Sequence, residues 1–292
     1  MKLVALVVVL ATTSVAFAII RRHDLADEAY VVDARAYPAV ADLLEPGDCL
    51  ATLIAPQWAL SAAHCVRHLD VPHALTFGGE TVGVRGKVCN ERFDGVRHDI
   101  ALVHLESAVS VEPIPIHRGD DELGRRVILV GRGDTATGLT GQDGATLDGL
   151  TREATNTVAE ATSRWLKFRF DAPTDPGVTD REGISGDGDS GGPAFIETAD
   201  GLELAGLSAY QDASGSRLGK YGVTEVYTRV SRYQDFVDEV TGPEWDGDYQ
   251  GCDTCSAGHA SKGSFLWILA LALVRRTRRS KLEAATLSLG TR

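Results

Sequence analysis

The richest chemistry in the 292-residue chain lies in Gly186-Asp187-Gly188-Asp189-Ser190-Gly191-Gly192-Pro193. Glycines on both sides of one hydroxyl let the backbone turn sharply and let a second chain come close. A serine held on such a turn can present its oxygen to a substrate. The peptide N–H groups beside it can point into the same space and stabilise an oxyanion. By itself a Gly/Ser/Asp cluster is more often a turn than a site. Two further stretches change that balance. Leu60-Ser61-Ala62-Ala63-His64-Cys65 carries an imidazole at the end of an apolar run, and Arg97-His98-Asp99-Ile100-Ala101-Leu102 carries a carboxylate at the head of another. The order His64, Asp99, Ser190 offers a base, an acid to orient it, and a nucleophile. His98 is a rival base, and Asp187 and Asp189 both lie within reach of the serine.

Three motifs in this order, with these separations, resemble the chymotrypsin/trypsin family of serine peptidases over roughly residues 19–240. The resemblance implies that Ser190 attacks the scissile carbonyl, His64 moves its proton, and Asp99 holds the imidazole. It implies an oxyanion hole from the N–H groups of Gly188 and Ser190, and a disulfide between Cys49 and Cys65 bracing the histidine loop. It favours His64 over His98, because Ala-Ala-His-Cys is the family's histidine setting. It favours Asp189 over Asp187 as partner of a new N-terminal ammonium at Ile19. For specificity, Ile184 stands where trypsin-like enzymes place the acid of the pocket floor. Glu225 stands where glycine is usual, and Gly186 where a cysteine is usual. Ser208-Ala209-Tyr210 corresponds to the substrate-pairing strand, with Tyr210 in place of a glycine. Cleavage after Arg or Lys through Glu225, or after a small or apolar residue if Glu225 points away, both stay open. The implied fold is all-β: two six-stranded antiparallel β-barrels with a C-terminal helix. Barrel one is expected over about 25–118, barrel two over about 122–230 and the helix over 231–240. No metal or organic cofactor is implied.

Composition agrees with that class. Thirty-one glycines without helical repeats favour strands and turns. A formal net charge of −12 argues against nucleic acid as partner. The expected partner is a protein or peptide substrate, and the expected state a monomer. Five cysteines cannot all pair within one chain. Cys89 reads as a small buried apolar residue, and Cys252 with Cys255 forms a lone C-x-x-C, a weak signal for metal or redox chemistry.

The elements that must position these residues follow in order. Residues 1–18 read as a secretory signal peptide: Lys2, then an apolar core, then Ala16-Phe17-Ala18 as small-x-small. Cleavage there leaves Ile19-Ile20 at the new N-terminus, so signal cleavage alone could make the active end. Arg21-Arg22 replace the family's glycines. Cys49–Ile54, Trp58–Leu60, Ile100–Leu105, Val127–Gly131, Leu204–Ala209 and Val226–Val230 read as strands, and Leu166, Phe168 and Phe170 alternate with Lys167 and Arg169. Ser231 with Gln234 fits a capping box opening a helix, with Tyr233, Phe236, Val237 and Val240 on one face and Gly242-Pro243 as its stop. The peptidase domain is thus expected over 19–245, followed by a Cys-containing tether over 246–262. In 263–292, an apolar run is followed by Arg275, Arg276, Arg278 and Arg279. Cysteine, short apolar helix and arginine cluster resemble MYXO-CTERM bacterial sorting tails, which implies anchoring at the cell surface, with the tail reaching a membrane. A simple C-terminal anchor and an unstructured tail are the other readings. The function expected is a surface-tethered serine endopeptidase. A non-catalytic binding module of the same fold and an acyl-ester hydrolase are its rivals.

Overall fold

A computed structural model of the chain describes residues 19–245 and 249, apart from 72 and 214. The signal-peptide reading of 1–18, Cys252 and Cys255 and the sorting tail lie outside the described residues. Among the described residues no helix is long and apolar enough to cross a membrane.

Two short strands open the chain, β1 (Ile19–Arg21) and β2 (Val31–Val32). Then come β3 (Val40–Asp42), β4 (Leu50–Ala55), β5 (Trp58–Ser61), β6 (Ala74–Phe77), β7 (Glu80–Cys89) and β8 (Ala101–Leu105). They form a six-stranded antiparallel sheet in the order β3-β4-β5-β8-β7-β6. The half-buried strands show why: in β6, Leu75 and Phe77 point inward while Ala74 and Thr76 face solvent.

The second half holds β9 (Arg126–Gly131), β10 (Thr135–Thr137), β11 (Thr151–Ala161), β12 (Trp165–Arg169), β13 (Gly183–Ile184), β14 (Pro193–Thr198), β15 (Gly201–Asp212) and β16 (Thr224–Arg229). Six of these run β12-β16-β15-β14-β9-β11, and pairing of β11 with β12 closes the ring. Closure leaves no free edge in that ring. The two six-stranded antiparallel barrels are as the resemblance implied. Strand β2 adds to the outside of β11, and β1 lies between β10 and β13.

An apolar cluster joins the halves. Leu50, Leu60, Ile100 and Leu102 from the first barrel meet Val130, Phe195 and Leu207 from the second, all at most 2% exposed. Each fully buried side chain of this size contributes roughly 1.5–3 kcal/mol. Packing of this cluster therefore holds the two halves together.

The last helix differs from expectation. It spans Gln234–Thr241, after a 3-10 turn at Val230–Arg232, and its N-cap is Tyr233 with no side-chain cap. No capping box forms. The Ser231 hydroxyl donates instead to Glu122 Oε1 at 2.6 Å. Glu122 is fully buried and ion-paired with Arg229, and a buried carboxylate needs every donor within reach. Tyr233, Val237 and Val240 are buried as the spacing predicts. Packing continues to Tyr249, whose hydroxyl lies 2.9 Å from His104 Nδ1. Cys89 is buried, but it is disulfide-bonded rather than the small apolar residue expected.

Candidate active site

His64 sits in a single helical turn, α1 (Ala63–Val66), that follows β5 directly. Asp99 sits two residues before β8, which pairs with β5. Strand pairing thus carries the acid to the histidine. Asp99 is 3% exposed; its Oδ1 accepts the backbone N–H of His64 at 2.8 Å, and its Oδ2 lies 2.6 Å from His64 Nδ1. A carboxylate can only accept, so Nδ1 carries the proton and Nε2 is left as a base. Thr228 Oγ1 of barrel two donates to the Asp99 carbonyl at 2.9 Å. Burial alone would lower the His64 pKa, but the charge and hydrogen bond of Asp99 outweigh it and raise the pKa above its ordinary value. His98, the rival base, faces Tyr233, with Nδ1 3.3 Å from the hydroxyl. Burial and then Arg164 and Arg92 lower its pKa.

The Ser190 turn is fastened to barrel one through its carbonyls. Cys49 N–H donates to Gly188 O and Leu50 N–H to Ser190 O, both at 2.8 Å. Among the described residues the N–H groups of Gly188 and Ser190 donate to nothing, so both stay available to a substrate oxygen. Gly188 has φ +94°, and a Cβ there would stand 2.2 Å from Gly47 O, so only glycine fits. A Cβ at Gly191 would stand 2.3 Å from Ser61 Oγ and 3.0 Å from Ala62 N. The serine turn therefore lies against the segment that leads into His64. The Cys49–Cys65 disulfide ties the same two segments together. No hydrogen bond joins Ser190 Oγ to His64 Nε2, whose near contact is Cys65 Sγ at 3.5 Å. Such bonds are often long in unliganded sites and tighten with substrate. Cys49, His64 and Cys65 bring ligand-type atoms within 4.8 Å of one another. Both sulfurs are spent in the disulfide, so no thiolate is offered to a metal.

Asp189 is 1% exposed. Its Oδ1 accepts N–H groups of Arg132 (2.8 Å) and Gly133 (2.7 Å); Oδ2 accepts those of Gly186 (2.8 Å) and Ile19 (3.3 Å). Burial pushes its pKa up to about 6, and the four N–H groups only partly offset that. Ile19 is fully buried with φ +67°, an uncommon conformation for a β-branched residue. Arg21 and Arg22 are ion-paired with Asp27 and Asp24.

Of the four specificity residues, the structure gathers two. Glu225 is 1% exposed; its Oε1 accepts from Ser185 Oγ, which lies 2.9 Å from Ser208 Oγ. Its Oε2 is buried with no hydrogen-bond partner. Burial, helped by the charge of Asp189, raises its pKa well above the ordinary value. Ile184 packs instead with Ile20, Phe170 and Val223. Tyr210 is 39% exposed and meets Trp165 edge-on at 5.6 Å. Sequence reasoning missed Ser185 and Gln211. The Gln211 amide donates to Ser185 O at 3.1 Å and accepts from Gly219 N–H at 2.7 Å. Only the pairing of Gln211 with Glu225 across β15 and β16 reveals it.

A trypsin family model matches residues 30–237. Among similar curated proteins, a collagenase of Hypoderma lineatum is 26% identical over 225 residues, covering 66% of this chain and 76% of the relative. Transmembrane protease serine 11E of Mus musculus is 29% identical over 217 residues, 66% of this chain and 49% of its own length. Trypsin-1 of Astacus astacus is 27% identical over 212 residues, 65% and 86%. The chain thus spans about half of the transmembrane relative and most of the other two.

Proposed function

The chain belongs to the trypsin family, and on that premise we propose that it is an exported serine endopeptidase acting through Ser190, His64 and Asp99. The observation that carries this reading is the 2.6 Å contact of His64 Nδ1 with Asp99 Oδ2. It leaves Nε2 unprotonated on the imidazole that borders the Ser190 turn. In this reading His64 Nε2 takes the Ser190 proton as Oγ attacks the scissile carbonyl, and returns it to the leaving amine. Asp99 stabilises the imidazolium between those steps. The free N–H groups of Gly188 and Ser190 receive the oxyanion, each worth on the order of 3 kcal/mol.

We further propose that cleavage after Ala18 turns the Ile19 N–H into an ammonium 3.3 Å from Asp189 Oδ2. The buried carboxylate then gains a full counter-charge, and the loop carrying Gly188 becomes rigid. N-terminal sequencing of the secreted protein tests this; a start other than Ile19 refutes it. Tethering through residues 246–292 belongs to the same reading, and cell-surface fractionation of the full chain against a truncation after 245 tests it. For the peptidase itself, the purified secreted protein should digest a proteome-derived peptide library, and Ser190→Ala should not. An intact wild type that cuts nothing favours the non-catalytic binding module.

A further inference from the structure

We propose that residues 250–253 of the C-terminal tether dock in a cavity beside the Asp99 segment and are fastened there by a disulfide between Cys89 and Cys252. The partner of this face is the chain's own tail, and Cys255 is left as its one thiol. The inference stands apart from the peptidase reading. It needs only the oxidising compartment that the Cys49–Cys65 bond already requires.

Cysteine arithmetic carries the first step. Cys89 is disulfide-bonded, and Cys49 and Cys65 are spent on each other. Only Cys252 and Cys255 remain in the sequence. Reach selects between them. The Tyr249 ring stands over Gly86, where a Cβ would meet it at 2.2 Å. Gly86 and Cys89 are three residues apart in β7, and Tyr249 and Cys252 are three residues apart in the tether. At about 3.3 Å per residue each run covers about 10 Å. A tether that follows β7 from Gly86 therefore brings Cys252 to Cys89, whereas Cys255 overshoots. Closing the bond takes two protons and two electrons from the two thiols. They pass to a protein disulfide of the exporting compartment, which becomes a dithiol.

The cavity shows what the tether meets. It measures about 530 Å³, and Cys89 lines it together with Val88, Val240 and Trp245. Trp245 is where the tether leaves the last helix, and its ring meets that of Tyr249 at 5.1 Å. Arg92, Arg164 and Arg232 also line the cavity, and among the described residues none of the three has an ion-pair partner. Glu91, Asp235 and Glu239 share the lining but form no ion pair with them. Asp253 follows Cys252 directly and brings a carboxylate to these guanidinium groups. His98 faces the same cavity. Burial, then Arg164 and Arg92, lower its pKa, so the uncompensated positive charge is felt there. His98 is one residue before Asp99, and its Nδ1 lies 3.3 Å from the Tyr233 hydroxyl. A tether docked here packs against the segment that carries Asp99 to His64.

The test uses the full chain, expressed for export and unfolded in iodoacetamide without reductant. Digestion with trypsin and with a protease that cuts before aspartate separates Cys252 from Asp253 and so from Cys255. Mass mapping should find Cys89 joined to Cys252, with alkylation on Cys255 alone, in a chain that runs as a monomer on a non-reducing gel. An alkylated Cys89, a Cys89–Cys255 pair, a Cys252–Cys255 pair or a disulfide-linked dimer overturns the inference. Amide hydrogen exchange then reads the docking. A chain carrying both Cys252→Ser and Cys255→Ser, in which neither cysteine can replace the other, should exchange at least about tenfold faster than wild type over 250–252 and 97–98, and equally over β14. Asp253→Ala should keep the disulfide and speed exchange over 250–252 by about threefold at low salt. Unchanged exchange in both variants overturns the docking even where the bond is found. If the double variant misfolds, the wild-type map and Asp253→Ala decide.

Discussion

Replacing Asp99 by Asn separates charge from shape. The amide can still accept the His64 backbone N–H now received by Oδ1 at 2.8 Å. Its NH2 group would then face Nδ1 at the position of Oδ2, 2.6 Å away. A donor there forces Nδ1 to become the acceptor and moves the ring proton to Nε2. The nitrogen next to the serine turn is then already protonated and cannot take the Ser190 proton. The expected loss is about 10⁴-fold in kcat, ~5.5 kcal/mol of transition-state stabilisation. A second change goes with it. Asp99 raises the His64 pKa against the downward push of burial. With that charge gone, burial prevails, and the acidic limb of the residual kcat/KM profile should move to lower pH. The assay is steady-state hydrolysis of one fluorogenic peptide from pH 5 to 9, with thermal unfolding to show that the variant folds. A folded Asp99→Asn within tenfold of wild type at pH 8 would refute the assignment of roles.

Other expectations follow from the same geometry. Gly188→Ala should lower kcat by at least about 100-fold, because the new Cβ meets Gly47 O at 2.2 Å and turns an oxyanion N–H away; peptide hydrolysis checks it. In a chain still joined to Ala18, Asp189 has its pKa raised from 3.8 to about 6. The folded state then binds the proton more tightly than the unfolded state. Stability should therefore fall by roughly 3 kcal/mol as pH rises from about 4 to 6, as urea unfolding would show. A chain that starts at Ile19 should lose that dependence, since its ammonium favours the ionised carboxylate. Replacing Cys49 and Cys65 by serine opens a link across a sequence separation of 16 and should cost about 3 kcal/mol in urea unfolding.

The chemistry was legible in the sequence where it is local. His64 follows an apolar strand, Asp99 heads another, and the glycines around Ser190 mark a turn that the φ values of Gly188 and Gly191 require. The fold was legible because three such motifs in one order resemble a known family. What escaped is what depends on register and burial. Gln211 faces Glu225 only because a bulge between Ser208 and Tyr210 shifts the pairing of β15 with β16, and a one-residue shift exchanges the faces of a strand. The same shift carries Tyr210 out toward Trp165. Ser231 has the local pattern of a cap, yet a buried carboxylate 109 residues away takes its hydroxyl. Tyr249 lies beyond a Gly-Pro stop, and nothing local shows that it returns to His104.

Mapping the fluorophosphonate adduct by peptide mass tests the central claim most directly. A single adduct on the Ser190 hydroxyl, absent in Ser190→Ala and formed far more slowly in Asp99→Asn, is the predicted result. A folded protein that forms no adduct, or carries it on another side chain, would contradict the account.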